Sequence, residues 1–341
     1  MISFGDGYSC TWRILRIDPA TWAGTEEVGG FLAASVERDC LSMLLESGTA
    51  EFDGNPSDSE MWVRIEMLAE QGGLVERHAI ATMLMSPAGS SASVGGSKTE
   101  YECRSVLAPA EDRVLLAGDY APAGCDGAAY AASLIAKCTP APVLVEGSFT
   151  LTDHMVFAKG TTHIEAAWML LDSAGWCAQV SGDGTITVRQ MPTSPSLVLD
   201  DAAAKLLGTE VKLEGALAEI PNRYIAVDGE KSAIAVDDDP ENPASLYSRG
   251  RYVDVYDDSP SRVDGESLEA YAARKLAEDS ESIESREYER EWRPNVTCFD
   301  VVKGSLSSVG LDGYMRVTSQ SISIGAGALV TEKAGVLRWE R

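Results

Sequence analysis

Three glutamates, Glu287, Glu289 and Glu291, stand at alternate positions in a run that reads as a β-strand, with Tyr288, Arg290 and Trp292 between them. Alternate strand residues share a face and lie about 6–7 Å apart. Two carboxylates so placed can divide acid and nucleophile work on a glycosidic bond. Such sites usually line their clefts with aromatic side chains, and this acidic face has none beside it. The three are therefore read as surface carboxylates.

Other groups of reactive residues resolve in the same direction. Asp153-His154 and His163-x-Glu165 could be drawn around a metal ion, and His78 is the third histidine. The gap between the two groups fits no known ligand spacing, and a helix start lies within it, so structural roles are preferred. Asp237, Asp238 and Asp239 are adjacent, whereas a calcium loop alternates its ligands so that they converge. Gly95-Gly96-Ser97-Lys98 lacks the strand-to-helix setting of a phosphate cradle. The nucleophile-elbow, P-loop and zinc-protease motifs are absent from the sequence. The residues thus imply no catalytic group, no cofactor site and no metal ligands.

The elements that must carry these residues are mostly strands. Strands are expected at 11–17, 32–39, 48–52, 62–67, 76–85 and 99–106, with Gln71-Gly72-Gly73 as a hairpin turn. Residues 87–98, rich in Gly and Ser, read as a mobile loop. An Ala-rich helix follows at 126–138, then a short β-prone run at 148–151. Thr162 and Glu165 have the spacing of a capping box for a helix over 164–171 that ends at Gly175. Trp168 on that helix is expected to anchor the unit against its own hairpin, which turns at Ser181-Gly182-Asp183-Gly184. From about Leu197 the chain turns β again, with strands at 210–214, 220–227, 252–256, 283–292, 296–302, 313–319 and 321–324. A helix at 267–278 points Leu268, Tyr271, Ala272 and Leu276 inward.

Composition sets outer bounds. A chain of 341 residues suggests two to three domains. Its 53 acidic against 28 basic residues give a net charge of −25, which argues against a nucleic-acid-binding surface or adhesion to anionic lipid. Seven scattered cysteines without a C-x-x-C pair read as reduced thiols of a protein folded in a cytoplasm. Neither a signal peptide nor a membrane span is expected, since no run approaches about 18 uncharged apolar residues.

The order of these elements resembles the tail hub proteins of long-tailed bacteriophages, the ring-forming baseplate hub or tail-tip proteins below the tail tube. Ser35-Val36-Glu37-Arg38-Asp39 through Phe52, followed by the hairpin at 62–85, looks like that family's opening barrel. The helix at 164–171 with Gly175 and Gly182-Asp183-Gly184 looks like its α/β insert. Asn222-Arg223-Tyr224-Ile225-Ala226-Val227 resembles its Asn-Arg-hydrophobic strand. The helix at 267–278, the strand at 283–292, and Asp300-Val301-Val302 through Gly313-Tyr314-Met315-Arg316-Val317 look like its C-terminal segment. That segment usually carries Pro-Gly-Asp before the two valines. Here the positions read Cys298-Phe299-Asp300, so the Asp is kept and the turn residues are not.

The resemblance implies a mainly β fold with an α/β insert: two related antiparallel β-barrel domains plus a small α/β domain. Their expected bounds are 1–116 for the first barrel, 117–200 for the α/β domain and 201–341 for the second barrel, with 237–282 inserted into it. It further implies a homotrimer whose paired barrels match a six-fold tube. Implied partners are the tail tube or distal tail protein, a tip spike or fibre protein and the tape-measure protein. Genomic DNA would pass through without specific binding. The implied location is the virion tail tip, after synthesis in the bacterial host cytoplasm. Residues 237–291 hold seventeen acidic and seven basic residues, ten of the 25 net negative charges. An acidic channel lining would keep DNA from adhering, which makes Glu287, Glu289 and Glu291 its candidate residues. The rival readings are a particle-borne or secreted carboxylate-dependent glycan-degrading protein, and a receptor-binding module.

Overall fold

The structure, a computed structural model, describes residues 2, 7–93, 96–199, 211–215, 218–262, 265–280, 284–294, 296–306, 309–325 and 328–337. The N-terminal part is β1 (Ser9–Ile17), β2 (Gly24–Glu27), β3 (Phe31–Asp39), β4 (Glu46–Asp53), β5 (Met61–Gln71), β6 (Leu74–Ser93) and β7 (Gly96–Ser105). In β5 the expected alternation holds: Val63, Ile65 and Met67 are buried, and so are Met61 and Ala69 beyond them. Gly72 and Gly73 turn the hairpin with φ of 59° and 84°, values that a two-residue turn of this twist demands and that Gly adopts without strain. Within the stretch at 87–98 the described residues, 87–93 and 96–98, are strand and not loop. β6 runs on to Ser93 and pairs with β7 from Gly96. β5 stops pairing at Met61 opposite Met85, so beyond that point β6 is an edge strand whose one neighbour is β7, itself still paired with β4 as far as Lys98. Gly89, Ser90 and Ser97 are exposed there, and a run of exposed Gly and Ser is not distinguished from a loop by composition alone.

The middle of the chain contains α1 (Ala108–Glu111), β8 (Tyr120–Ala121), α2 (Gly127–Ala136), β9 (Val143–Glu146), β10 (Met155–Val156), α3 (His163–Ser173), β11 (Trp176–Val180) and β12 (Ile186–Gln190). Asp126 caps α2, accepting from Ala128 N and Ala129 N at 3.0 and 3.2 Å. The Thr162–Glu165 capping box opens α3, with both reciprocal bonds made. β11 and β12 form the expected hairpin, and β9 adds in parallel to β12. The short strand thus lies upstream of 148–151. Val143-Leu144-Val145 takes the ladder, while Phe149 packs 5.2 Å from the Trp176 ring.

The remainder is β13 (Pro195–Leu199), β14 (Lys212–Gly215), β15 (Arg223–Asp228), β16 (Lys231–Val236), α4 (Leu246–Arg249), β17 (Asp254–Asp257), α5 (Leu268–Ser280), β18 (Glu284–Glu291), β19 (Val301–Leu306), β20 (Leu311–Ile324) and β21 (Ala328–Val336). β20 joins two segments that read as separate strands, because a bulge between Val317 and Ser319 changes the phase of alternation without ending the strand. β21 was not anticipated. β15, β16 and β17 form their own sheet under α5, whose Leu268, Tyr271, Ala272 and Leu276 pack on Tyr224, Ala226 and Ala233. The inserted segment expected at 237–282 therefore packs together with the two strands that precede it.

The architecture is mainly β with α/β insertions. One sheet runs β14-β18-β21-β20-β3-β4-β7-β6-β5-β1-β2, with β19 and β13 branching from β20. Strands from the two ends of the chain meet at β20 and β3, where Ile322 faces Val36 and Gln320 faces Arg38. The C-terminal strands serve two separate cores. Trp292, Ile322, Ile324 and Val330 join Val36, Phe52, Ile65 and Met83 in one, whereas Tyr288, Met315, Val317 and Ala334 join Val302 and Leu311 in the other.

Candidate functional site

The acidic strand is β18. Tyr288, Arg290 and Trp292 are buried on its inner face, so the outer face carries Glu287, Glu289 and Glu291 as the alternation requires. Their settings differ. Glu287 pairs with Lys212 across the β14–β18 ladder. Glu291 lies 3.7 Å from Arg293. Glu289 is exposed and makes no ion pair among the described residues. None of the three lines the larger cavities formed by the described residues.

Behind this face lies a feature that was missed in the sequence. Glu46, Arg38, Gln320, Glu332 and Tyr288 are successive cross-strand neighbours on β4, β3, β20, β21 and β18. Arg38 donates to Glu46 at 2.6 Å, to Ile80 O at 2.6 Å and to Gln320 at 3.2 Å. Gln320 donates to Glu332 at 2.7 Å, and Tyr288 and Arg290 close on the same carboxylate. Arg290 and Glu332 are 1% and 0% exposed. A buried charge costs several kcal/mol unless it is paired and bonded, and here two arginines balance two glutamates. Burial pushes the Glu46 carboxyl up, and the adjacent Arg38 only partly offsets it. The row crosses the sheet between the two apolar cores. Its signal in sequence was a polar residue in the inward phase, Arg38 after Ala34 and Val36.

The α/β unit is held against this seam by its hairpin turn. A Cβ on Gly182 would stand 1.9 Å from Ala79 O, so only Gly permits the approach to β6. Gly182 O accepts from Thr82 at 2.9 Å, and Asp183 O accepts from Arg64 at 2.8 Å and Trp22 at 2.9 Å. On the other side Gln179 donates to Cys298 O at 2.9 Å and Asp300 Oδ1 at 3.1 Å. Between these two acceptors Phe299 has φ of 71°. Arg316 donates to Phe299 O at 3.0 Å, and the Phe299 ring packs in the core of the α/β unit.

Trp168 packs at the margin of the α/β core and not inside it. It is half-buried and donates from its indole N–H to Met43 O at 3.0 Å in the loop between β3 and β4. Ile164, Ala167, Leu170 and Leu171 fill the core instead. Helix geometry turns position 168 toward the edge of that stripe, where it meets the N-terminal part.

The histidines are used separately. Buried His163 contacts Leu134 O at 3.1 Å, and burial lowers its pKa. His154 accepts from Ala123 N at 3.1 Å and stacks edge-on with Tyr120. His78 lies 3.5 Å from the Glu76 carboxylate. Asp237 and Asp239 accept bonds from Asp239 N and Glu241 N at 3.1 and 2.9 Å, closing turns in their own loop. Among the described residues no group of three or more His, Cys, Asp or Glu could hold a metal ion.

No protein-family model matches the chain, and no curated protein matches it in sequence. Solved structures do resemble it. The tail protein from Neisseria meningitidis MC58 superposes with a TM-score of 0.69 at 13% identity, over 96% of this chain and 97% of that one. The 43 kDa tail protein of prophage MuSo2 from Shewanella oneidensis gives 0.68 at 14%, over 96% and 98%. Prophage tail protein gp18 from Listeria monocytogenes EGD-e gives 0.55 at 10%, over 94% of each chain. The fold is that of phage tail proteins. Its strands and inserts follow theirs nearly from end to end.

Proposed function

We propose that this chain is a structural component of a phage-type virion tail, a hub whose three copies form a ring. The ring joins the tail tube to the tip spike or fibres and lines the passage for DNA. The observation that carries this reading is the fold likeness to two tail proteins over at least 96% of each chain. Two further features fit it. A single sheet over two cores gives each subunit two β-units, and three such subunits present six to a six-fold tube. The charge of −25 suits a wall along which phosphates must slide. Synthesis in the host cytoplasm accords with seven free cysteines.

The domain bounds of 1–116, 117–200 and 201–341 belong to the same proposal. So do the contacts with a distal tail protein, a spike or fibre protein and a tape-measure protein. A glycan-degrading role has less support, because Glu287, Glu289 and Glu291 line none of the larger described cavities. Native mass spectrometry and negative-stain images of the purified protein test the hub reading. Particles of about three times 36.4 kDa with a central hole are expected. A monomer within an assembled tail would overturn it.

A further inference from the structure

The small sheet β16-β15-β17 is covered on one face by α5 and, among the described residues, is open on the other. Register sets which side chains share the open face. Ile225 on the central strand lies between Ile234 on β16 and Tyr256 on β17, and the next row is Val236, Arg223 and Asp254. Directly opposed residues point to the same side of a sheet, so both rows face away from Tyr224, Ala226 and Ala233, which pack with α5. Ile234 and Tyr256 are 60% and 64% exposed, and Val236 and Tyr252 are exposed beside them. On β18 the face that meets water carries Glu289; here the chain puts isoleucine, valine and tyrosine. Arg223 does not break the apolar surface, because its guanidinium lies 4.0 Å over the Tyr252 ring and donates to Asp254 at 2.8 Å. The ends of the face are acidic. Asp238 and Asp239 are exposed just past β16, as are Asp228 and Glu230 between β15 and β16. From 223 to 262 nine carboxylates stand against five basic side chains. Of those five, Arg223 pairs with Asp254 and Arg262 with Asp228, Arg249 and Arg251 donate to Ala218 O, and Lys231 stands exposed beside Glu230. The surplus of negative charge lies past the end of β16.

We propose that the open face of this sheet docks one amphipathic helix of a partner protein, with an apolar stripe on Ile225, Ile234 and Tyr256 and Lys or Arg side chains toward Asp238 and Asp239. Three strands about 4.8 Å apart make a face about 10 Å across, which is the width of one helix. α5 fills the opposite face in that way. A contiguous apolar patch rimmed by polar groups marks an interaction surface, and the charge of the rim selects a partner of opposite sign. A second copy set face to face would bring one acidic rim against another, on chains that each carry −25. The inference stands apart from the hub reading, since it rests on this face alone.

Titration calorimetry of the full chain tests it with three capped probes: the helical peptide LKKLLKLLKKLLKL, its counterpart LEELLELLEELLEL, and octalysine. The Leu–Lys peptide should bind saturably at one site and weaken with added salt. The Leu–Glu peptide should not bind, and octalysine, which has charge without an apolar stripe, should bind at least tenfold more weakly. Ile234→Ser/Tyr256→Ser, which changes no charge, should weaken Leu–Lys binding about tenfold or more. Asp238→Asn/Asp239→Asn should weaken it at low salt and leave it nearly unchanged at high salt. Leu74→Ser, at an exposed apolar side chain on the β5–β6 hairpin, should bind as the parent does. Circular dichroism checks that the variants are folded. If the serine double variant is not, Ile234→Ser at its exposed position must itself weaken binding. Absence of saturable binding, equal affinity for octalysine or the Leu–Glu peptide, or unchanged affinity in the folded serine variants would overturn the assignment. So would a change of oligomeric state in those variants, which would give the face to a second copy.

Discussion

Arg38 on β3 and Gln320 on β20 are 282 positions apart in the chain, yet they are direct cross-strand partners whose side chains meet at 3.2 Å. Their bond sits where the two ends of the chain become one sheet. It is also the middle of the buried polar row that separates the two cores. A hydrophobic pair at this point would let the cores merge. A bonded polar pair gains little net stability over such a pair but penalises every register that leaves it unpaired.

Removing one member of that row should therefore be costly. Glu332→Ala leaves Arg290 buried without its carboxylate and strips acceptors from Tyr288 and Gln320. Urea unfolding should show a loss of about 3–5 kcal/mol. Replacing both charges, Arg290→Met with Glu332→Leu, should recover much of that loss. A single-variant loss below about 1 kcal/mol would mean that water or another group satisfies Arg290.

Phe299 offers a test of backbone strain. Its φ of 71° suits Gly, while its ring packs in the α/β core. Phe299→Ala and Phe299→Gly both lose the ring, at about 3–5 kcal/mol. Only Gly also relieves the left-handed backbone, worth about 1 kcal/mol. The Gly variant should melt above the Ala variant, the reverse of the usual order.

Trp168→Ala should cost about 1–2 kcal/mol, one hydrogen bond and partial burial. Leu170→Ala, wholly inside the same helix, should cost about 2–5 kcal/mol. Thermal scans of the two variants side by side read the difference. A larger loss at Trp168 would place it in the core after all.

All seven cysteines are free thiols. Titration with a thiol reagent after denaturation, without reductant, should find seven. In the native protein at pH 8, burial pushes Cys103 and Cys177 up to about 12 and Cys40 up to about 11. So small a thiolate fraction should leave these three slow to react until the protein unfolds.

On the hub reading, the acidic strand acts as a field and not as a catalyst. Glu287→Gln, Glu289→Gln and Glu291→Gln should each leave particle assembly and genome delivery nearly unchanged. Changing all three to Lys should slow delivery most at low ionic strength, since salt screens over about 8–10 Å. Release rates from purified particles read this. Collapse after one Glu→Gln change, with particles intact, would point to a carboxylate mechanism.

Much of the chain was legible without coordinates because its signals are local. Alternation placed β5 and separated the two faces of β18, and capping chemistry opened α3. Element order was enough to suggest the phage tail fold. Where the reading failed, the deciding partner was remote in sequence. Residues 87–93 are strand because residues 96–101 pair with them, and β20 is continuous because a bulge absorbs its change of phase. Arg38, Gln320 and Glu332 became one buried row only when distant strands came together. Periodicity records which face of a strand is buried, but not which strand lies beside it. That choice is made by packing and register across the whole sheet.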